Sequence, residues 1–349
     1  MPNGHRQRDV AGGAAPSGAA RIACFEWARA AGCVAVVALH VFVALCNAHG
    51  YDALGPIRLF VEATLSIVLT RWAVPVFFMV SGALLLDPAK DLGWERIWRY
   101  VSRMLFVLGT FGLAFCLVES AYNNGGMSLA VVGEALVKLV TARSWGHLWY
   151  VYALLGLYAL TPALRLLVAG ADRRTLTLTI AVLYVLVLVI PTVSHLAGNT
   201  VTLPINLAPA VVYYLLGWYV WTYLRLDAAT VCMGVGSLAA MIAGQWFGHG
   251  ELALPEYCLV APYGAMVFML FVRYARRPIT EVAVAEALAN RSFGIYVVHP
   301  IFLHALVRFV DPLALPVGVF ELLAFVVALA GSFVLLDVVR KIPGFAGRL

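Results

Sequence analysis

The chain has 349 residues, of which 63% are hydrophobic and only 12% charged, and its mean hydropathy is +0.90. A soluble protein is nearer half apolar and a quarter charged, so the composition excludes a soluble domain and indicates an all-α polytopic membrane protein. No stretch shows the alternation of an outer-membrane barrel strand. The formal charge of +6 comes from basic residues in loops, which implies no nucleic acid as partner. Six cysteines, Cys24, Cys33, Cys46, Cys116, Cys232 and Cys258, are scattered without CxxC or Cys/His ligand spacing, so neither a disulfide framework nor a metal site is expected.

In chain order, residues 1–20 are rich in Gly, Ala and Pro and read as a disordered cytoplasmic tail. Residues 21–341 read as one transmembrane domain and 342–349 as a short C-terminal tail. A cleaved signal peptide is not expected, because the first apolar run is too long and carries polar residues. Ten spans can be placed, at about 22–47, 70–87, 100–121, 147–169, 175–194, 206–224, 228–247, 256–274, 292–309 and 317–339. The apolar run at 57–69 makes the second segment too long for one crossing and reads as an extra interfacial turn or helix. Residues 128–143 are amphipathic and too short to span, so they are expected on the membrane surface. With both termini cytoplasmic, 18 of the 24 Lys and Arg fall on the inner side and 5 on the outer, and Arg29 lies within the membrane. The positive-inside rule therefore favours that topology.

The first span carries Glu26, Arg29 and His40. Intramembrane charge costs at least about 2.5–3.5 kcal/mol per residue at mid-bilayer, so such residues face a polar interior. Arg29 and His40 are 11 positions apart, which at about 100° per residue is about 20° beyond three whole turns and stacks them about 16 Å apart on one helical face. The face reads Glu26, Arg29, Cys33, Val36, His40, Asn47.

Three later stretches carry further polar groups. Arg96, Arg99 and Arg103 stand at i, i+3 and i+7 where a loop enters the third span, and paired guanidinium donors suit phosphates. Arg71 opens a segment in which Pro75 should bend the helix and Ser81-Gly82 should permit close helix approach. His147, Trp149, Tyr150 and Tyr152 lie at the start of the fourth span, while Ser292, Tyr296 and His299 share one face of the ninth, with Pro300 just beyond. Pro300 is expected to disturb that helix and free a backbone carbonyl.

These motifs resemble the membrane-bound acyltransferase 3 family, integral membrane enzymes that O-acylate surface polysaccharides and related acceptors. Arg29 and His40 match its R-x10-H, and Arg96-x-x-Arg99 its R-x-x-R. VPVFFMVSGALLL at 74–86, HLWYVYALLGLYALTP at 147–162 and SFGIYVVHP at 292–300 resemble its later blocks. The resemblance runs over about 22–340, and Glu26 stands where an Asp before the arginine is commoner.

The resemblance implies an acyltransferase of groups other than aminoacyl groups. It would be a multi-pass protein of the bacterial inner membrane that takes cytoplasmic acyl-CoA, by default acetyl-CoA, as donor substrate. The acceptor is a hydroxyl of an extracytoplasmic glycan or lipid-linked sugar. On that reading Arg96, Arg99 and Arg103 bind the CoA phosphates, Glu26 and Arg29 line the acyl-donor channel as a balanced pair, and His40 is the general base. Glu26 is about 21 Å along the helix from His40 and cannot orient it, so the orienting group is sought on another helix, with His147, Tyr150 and His299 as candidates. Trp149, Ser292 and Tyr296 complete the expected acceptor or supporting shell. An acyl-histidine step and direct transfer stay open, and the competing class is a secondary transporter or exporter.

Overall fold

In a bilayer each backbone N–H and C=O must find a partner within its own segment, which leaves helices as the solution for apolar runs of this length. The computed structural model describes residues 18–50, 54–143, 145–199, 207–275, 277–345 and 347–349, and among them there is no strand. The tail expected at 1–20 lies outside the described residues up to residue 17. The first helix, α1, already begins within it and covers Gly18–His49.

Next come α2 (Pro56–Ala63) and α3 (Ala73–Leu85), joined through a π-helical turn at Thr64–Val68. The run at 57–69 is therefore continuous with the second span, giving a 30-residue apolar segment, Pro56–Leu85. The same device joins α4 (Trp94–Val107) to α5 (Leu113–Asn123). After the short α6 (Leu129–Val140) and α7 (Trp149–Gly170), it also joins α8 (Arg173–Tyr184) to α9 (Ile190–Leu196). The chain closes with α10 (Leu207–Tyr223), α11 (Ala228–Trp246), α12 (Val260–Tyr274), α13 (Ala283–Phe309) and α14 (Val317–Val339).

All ten expected spans coincide with apolar helical segments. Eight are long enough to cross a bilayer, and α10 and α12, of 17 and 15 residues, are shorter. The ninth differs at its start, because α13 begins at Ala283 and already contains the half-buried Arg291 and the buried Ser292 in its middle turns. Pro300 lies inside α13 without ending it. Its missing N–H leaves the Tyr296 carbonyl without its helical donor, as the residue order requires. The amphipathic α6 is capped by Ser128, whose hydroxyl accepts from Val131 N at 3.2 Å, and is tied to α5 by Lys138 bridging Glu119 and Glu134, each at 3.0 Å.

The centre of the bundle is the contact of α3 with α10, and two glycines make it possible. A Cβ on Gly82 would overlap the Tyr214 backbone, and one on Gly217 would overlap the Met79 backbone. The close approach expected at Ser81-Gly82 is thus real, and α10 reciprocates it. Around this pair α1 packs on α13, and α13 on α14.

Candidate active site: two cavities and an aromatic partition

The shared face of α1 opens into two separate cavities. Arg29 lines the larger, of about 410 Å³, with Ser81, Lys90, Arg96, Tyr100, Arg103, Tyr158 and Ser292. His40 lines the smaller, of about 220 Å³, with Thr70, Arg71, Trp149, Tyr213 and Glu256. Tyr296 borders both. Between them, adjacent residues face opposite ways: Phe77 and Tyr150 look into the basic cavity, Phe78 and Trp149 into the histidine cavity. Ring centroids of Phe78 and Tyr150, and of Tyr150 and Tyr296, are each 4.9 Å apart, so the partition is a layer of touching aromatic rings one side chain thick. The spacing of Arg29 and His40 places one residue on each side of it.

In the basic cavity, Arg29 Nη2 reaches α13 and donates to Ser292 Oγ at 3.4 Å. The expected balance by Glu26 does not form: among the described residues no ion pair joins Glu26 to Arg29, and Glu26 lines neither cavity. The two side chains leave α1 about 60° apart, and the guanidinium follows the cavity toward α13 rather than back to the carboxylate. Arg103 Nε donates to Arg348 O at 2.9 Å, and its guanidinium lies 4.7 Å from the centre of the Phe293 ring. Arg96 Nη1 donates to Asp91 O at 3.3 Å and keeps its head at the cavity edge. Arg99 does not join them. It is exposed, in a shallow surface depression with Trp94, Glu95 and Trp98. Offsets of about 60° from Arg96 and 40° from Arg103 around α4 are enough to carry it past the cavity rim.

In the other cavity, His40 is joined by two more histidines. Its ring centre is 4.9 Å from that of His299 and 6.4 Å from that of His147. The orienting group for His40 is on its own helix: Nδ1 lies 2.9 Å from Val36 O, one turn earlier. This corrects the expectation that another helix must supply it. A carbonyl can only accept, so the proton sits on Nδ1 and the lone pair of Nε2 is left for an incoming hydroxyl. His147 is held by Nε2 against Val297 O at 3.1 Å, and the Tyr296 hydroxyl donates to the His147 carbonyl. Thus the turn that leads into α7 is pinned to α13 at the partition.

Three further residues belong to the site although sequence reasoning assigned them no role. Arg71 and Glu256 put opposite charges beside His40. Arg71 opened the segment that holds Pro75 and Ser81-Gly82 but counted only among the outer-side cations, and nothing in the sequence brought Glu256 near. Arg165 donates to the carbonyls of Leu85, Asp87 and Lys90 at 2.8, 2.7 and 2.6 Å and so fixes the turn that carries Lys90 and Leu92 into the basic cavity. A cation near the end of a span reads as positive-inside anchoring, which hid that role. Among the described residues no group of three or more His, Cys, Asp or Glu is arranged to hold a metal ion.

Fold and site together define a multi-pass α-helical membrane protein whose buried polar residues line two cavities parted by aromatic rings. Its chain matches the acyltransferase-domain family over residues 22–337 and belongs to that family of membrane acyltransferases. Comparison with curated proteins and with solved structures gave no match.

Proposed function

We propose that this membrane acyltransferase moves an acyl group, by default acetyl, from cytoplasmic acyl-CoA to a hydroxyl of an extracytoplasmic glycan or lipid-linked sugar, in the bacterial inner membrane. The observation that carries the reading is the single helix α1, which offers a guanidinium to one cavity and an oriented imidazole to the other. Both termini are cytoplasmic in this reading, so the basic cavity opens inward. Arg96 and Arg103 hold the CoA phosphates there, Arg29 and Ser292 lie along the pantetheine arm, and the thioester reaches the partition. From the opposite side the acceptor enters the smaller cavity, where Trp149 offers a sugar-stacking face. His40 Nε2 takes the hydroxyl proton as the oxygen attacks the thioester carbon. The C–S bond then breaks and the thiolate recovers the proton.

Purified protein in detergent, given labelled acetyl-CoA and glycan from a bacterial envelope, tests this directly. Release of CoA with label on the glycan supports the proposal. A secondary transporter needs a sealed compartment, and a preparation that leaves acetyl-CoA intact would return the chain to that class of activity.

A further inference from the structure

Among the described residues, four cations line the larger cavity, Arg29, Lys90, Arg96 and Arg103, and no carboxylate does. In the proposed reaction three of them meet the donor, and Lys90 is unused. Its place is nevertheless built. Arg165 of α7 donates to the carbonyls of Leu85, Asp87 and Lys90 at 2.8, 2.7 and 2.6 Å, and Asp87 Oδ1 accepts from Ala89 N at 3.0 Å within the same turn. From the other side, Arg96 Nη1 of α4 donates to the carbonyl of the next residue, Asp91, at 3.3 Å. The Lys90 backbone is thereby held at the cavity rim by two helices. Its ammonium is less committed. Nζ donates to Leu84 O at 3.2 Å, while Asp87 Oδ2 is 4.0 Å away, beyond hydrogen-bond reach. An ammonium carries three N–H groups, so two are left for a ligand or for water.

The cations stand at different depths. Arg103 is seven positions beyond Arg96 on α4, about 10 Å further along the helix axis, so Lys90 and Arg96 are at the rim and Arg103 lies further in. Coenzyme A has a fixed covalent order from its thioester outward: the pantetheine arm, the pyrophosphate, then the ribose with its 3′-phosphate and adenine. A donor whose thioester reaches the partition sets its pyrophosphate between Arg103 and Arg96 and brings its 3′-phosphate to the rim. We infer that Lys90 is a specificity-determining residue of the donor cavity, its ammonium binding the 3′-phosphate of coenzyme A. The inference rests on the acyl-CoA reading above. The chemistry of the two groups matches. A phosphate monoester carries about −1.5 to −2 charge at pH 7 and three acceptor oxygens, and it turns freely about its ester bond. A compact ammonium on a flexible stem meets such a group as a point charge, where a planar guanidinium fork asks for a fixed orientation. Lys90 thus lets the protein distinguish a coenzyme A thioester from one carried on phosphopantetheine alone, which lacks the 3′-phosphate.

Equilibrium binding of coenzyme A and of 3′-dephospho-coenzyme A to the purified full chain in detergent tests this without an acceptor. The wild type is expected to prefer coenzyme A by about three- to fivefold, the scale of one solvent-exposed charge pair. Lys90→Gln should remove the preference by weakening coenzyme A alone, and Lys90→Arg should keep it. Lys341→Gln, at an exposed cytoplasmic position outside the cavity, should keep it as well, which separates a contact from a general loss of positive charge. Equal wild-type affinity for the two nucleotides would overturn the inference. So would a Lys90→Gln protein that weakens both alike or leaves the preference intact, as it would if the rim held a lipid headgroup instead, or a Lys341→Gln protein that erodes the preference as much. A wild type that binds neither nucleotide would instead refute the donor assignment on which the inference stands, a separate and recognisable result.

Discussion

The contact of α3 with α10 makes the most demanding structural prediction, because it ties packing to catalysis. In Gly82→Ala the new methyl would meet the Tyr214 backbone, with its carbonyl carbon at 2.8 Å and the oxygen closer still. Ordinary contact begins at 3.4 Å, so the helices must part by at least about 0.6 Å, the difference between the two, and neither obstacle is a side chain that can rotate away. Overpacking of this kind costs about 1–3 kcal/mol. The shift also moves Phe77 and Phe78, which face the two cavities from α3, and a misplacement approaching 1 Å can cost on the order of 100-fold in rate. Gly82→Ala in detergent is therefore expected to melt at a lower temperature and to lose acyl transfer by a larger factor than its stability alone explains. Gly217→Ala should behave alike, since its methyl would stand 2.6 Å from the Met79 carbonyl carbon. Wild-type melting and turnover in both variants would refute the reasoning.

Two further outcomes follow from the site and its surroundings. Arg96→Gln and Arg103→Gln should each raise KM for acetyl-CoA about three- to tenfold, the lower figure for Arg96 because solvent screens exposed charge, whereas Arg99→Gln should stay within about twofold; steady-state kinetics on the three variants decides it. At the loop beyond α11, Glu251 Oε1 accepts from His195 Nε2 at 2.8 Å and from His249 Nδ1 at 3.2 Å. Burial alone would push this carboxyl up, but hydrogen bonds from His195, from its own backbone and from His249 together hold it below the ordinary carboxylate value. A carboxylate depressed by folding stabilises above its unfolded pKa, about 4.3, and loses that contribution as pH falls through the lower folded value. Melting temperature followed from pH 6 to 3 should therefore fall more steeply in wild type than in Glu251→Gln. Parallel curves would show that the contact is not linked to acid stability.

The ten spans and the register of Arg29 with His40 were legible because hydrophobic length and a 3.6-residue period are local properties. Gly82 was legible for the same reason, as a small residue in an apolar run. The partition was not. Phe77 and Phe78 are neighbours in sequence, and which cavity each faces depends on how α3 is rotated against α7 and α13, which no single segment encodes. Arg99 failed through a finer effect: three arginines spread over about 60° of helix count as one face by pattern, yet the cavity rim cuts between them. The orientation of His40 by Val36 was within reach of the sequence, being a contact one turn back on the same helix. Glu26, the carboxylate of that helix, is too far along it to reach His40, and that distance alone pointed to side chains of other helices. The early start of α13 was missed because residues 283–291 carry two charges, Glu286 and Arg291, that read as loop. In the fold Arg291 is held by Asp337 of α14 at 2.9 Å.

The most direct test of the central claim is turnover of labelled acetyl-CoA by purified wild type and by His40→Ala in the same detergent. If His40 Nε2 is the base on the acceptor side of the partition, the variant binds acetyl-CoA with wild-type affinity, through an intact basic cavity, and transfers no label to glycan. A His40→Ala protein that acylates glycan at the wild-type rate would contradict the account.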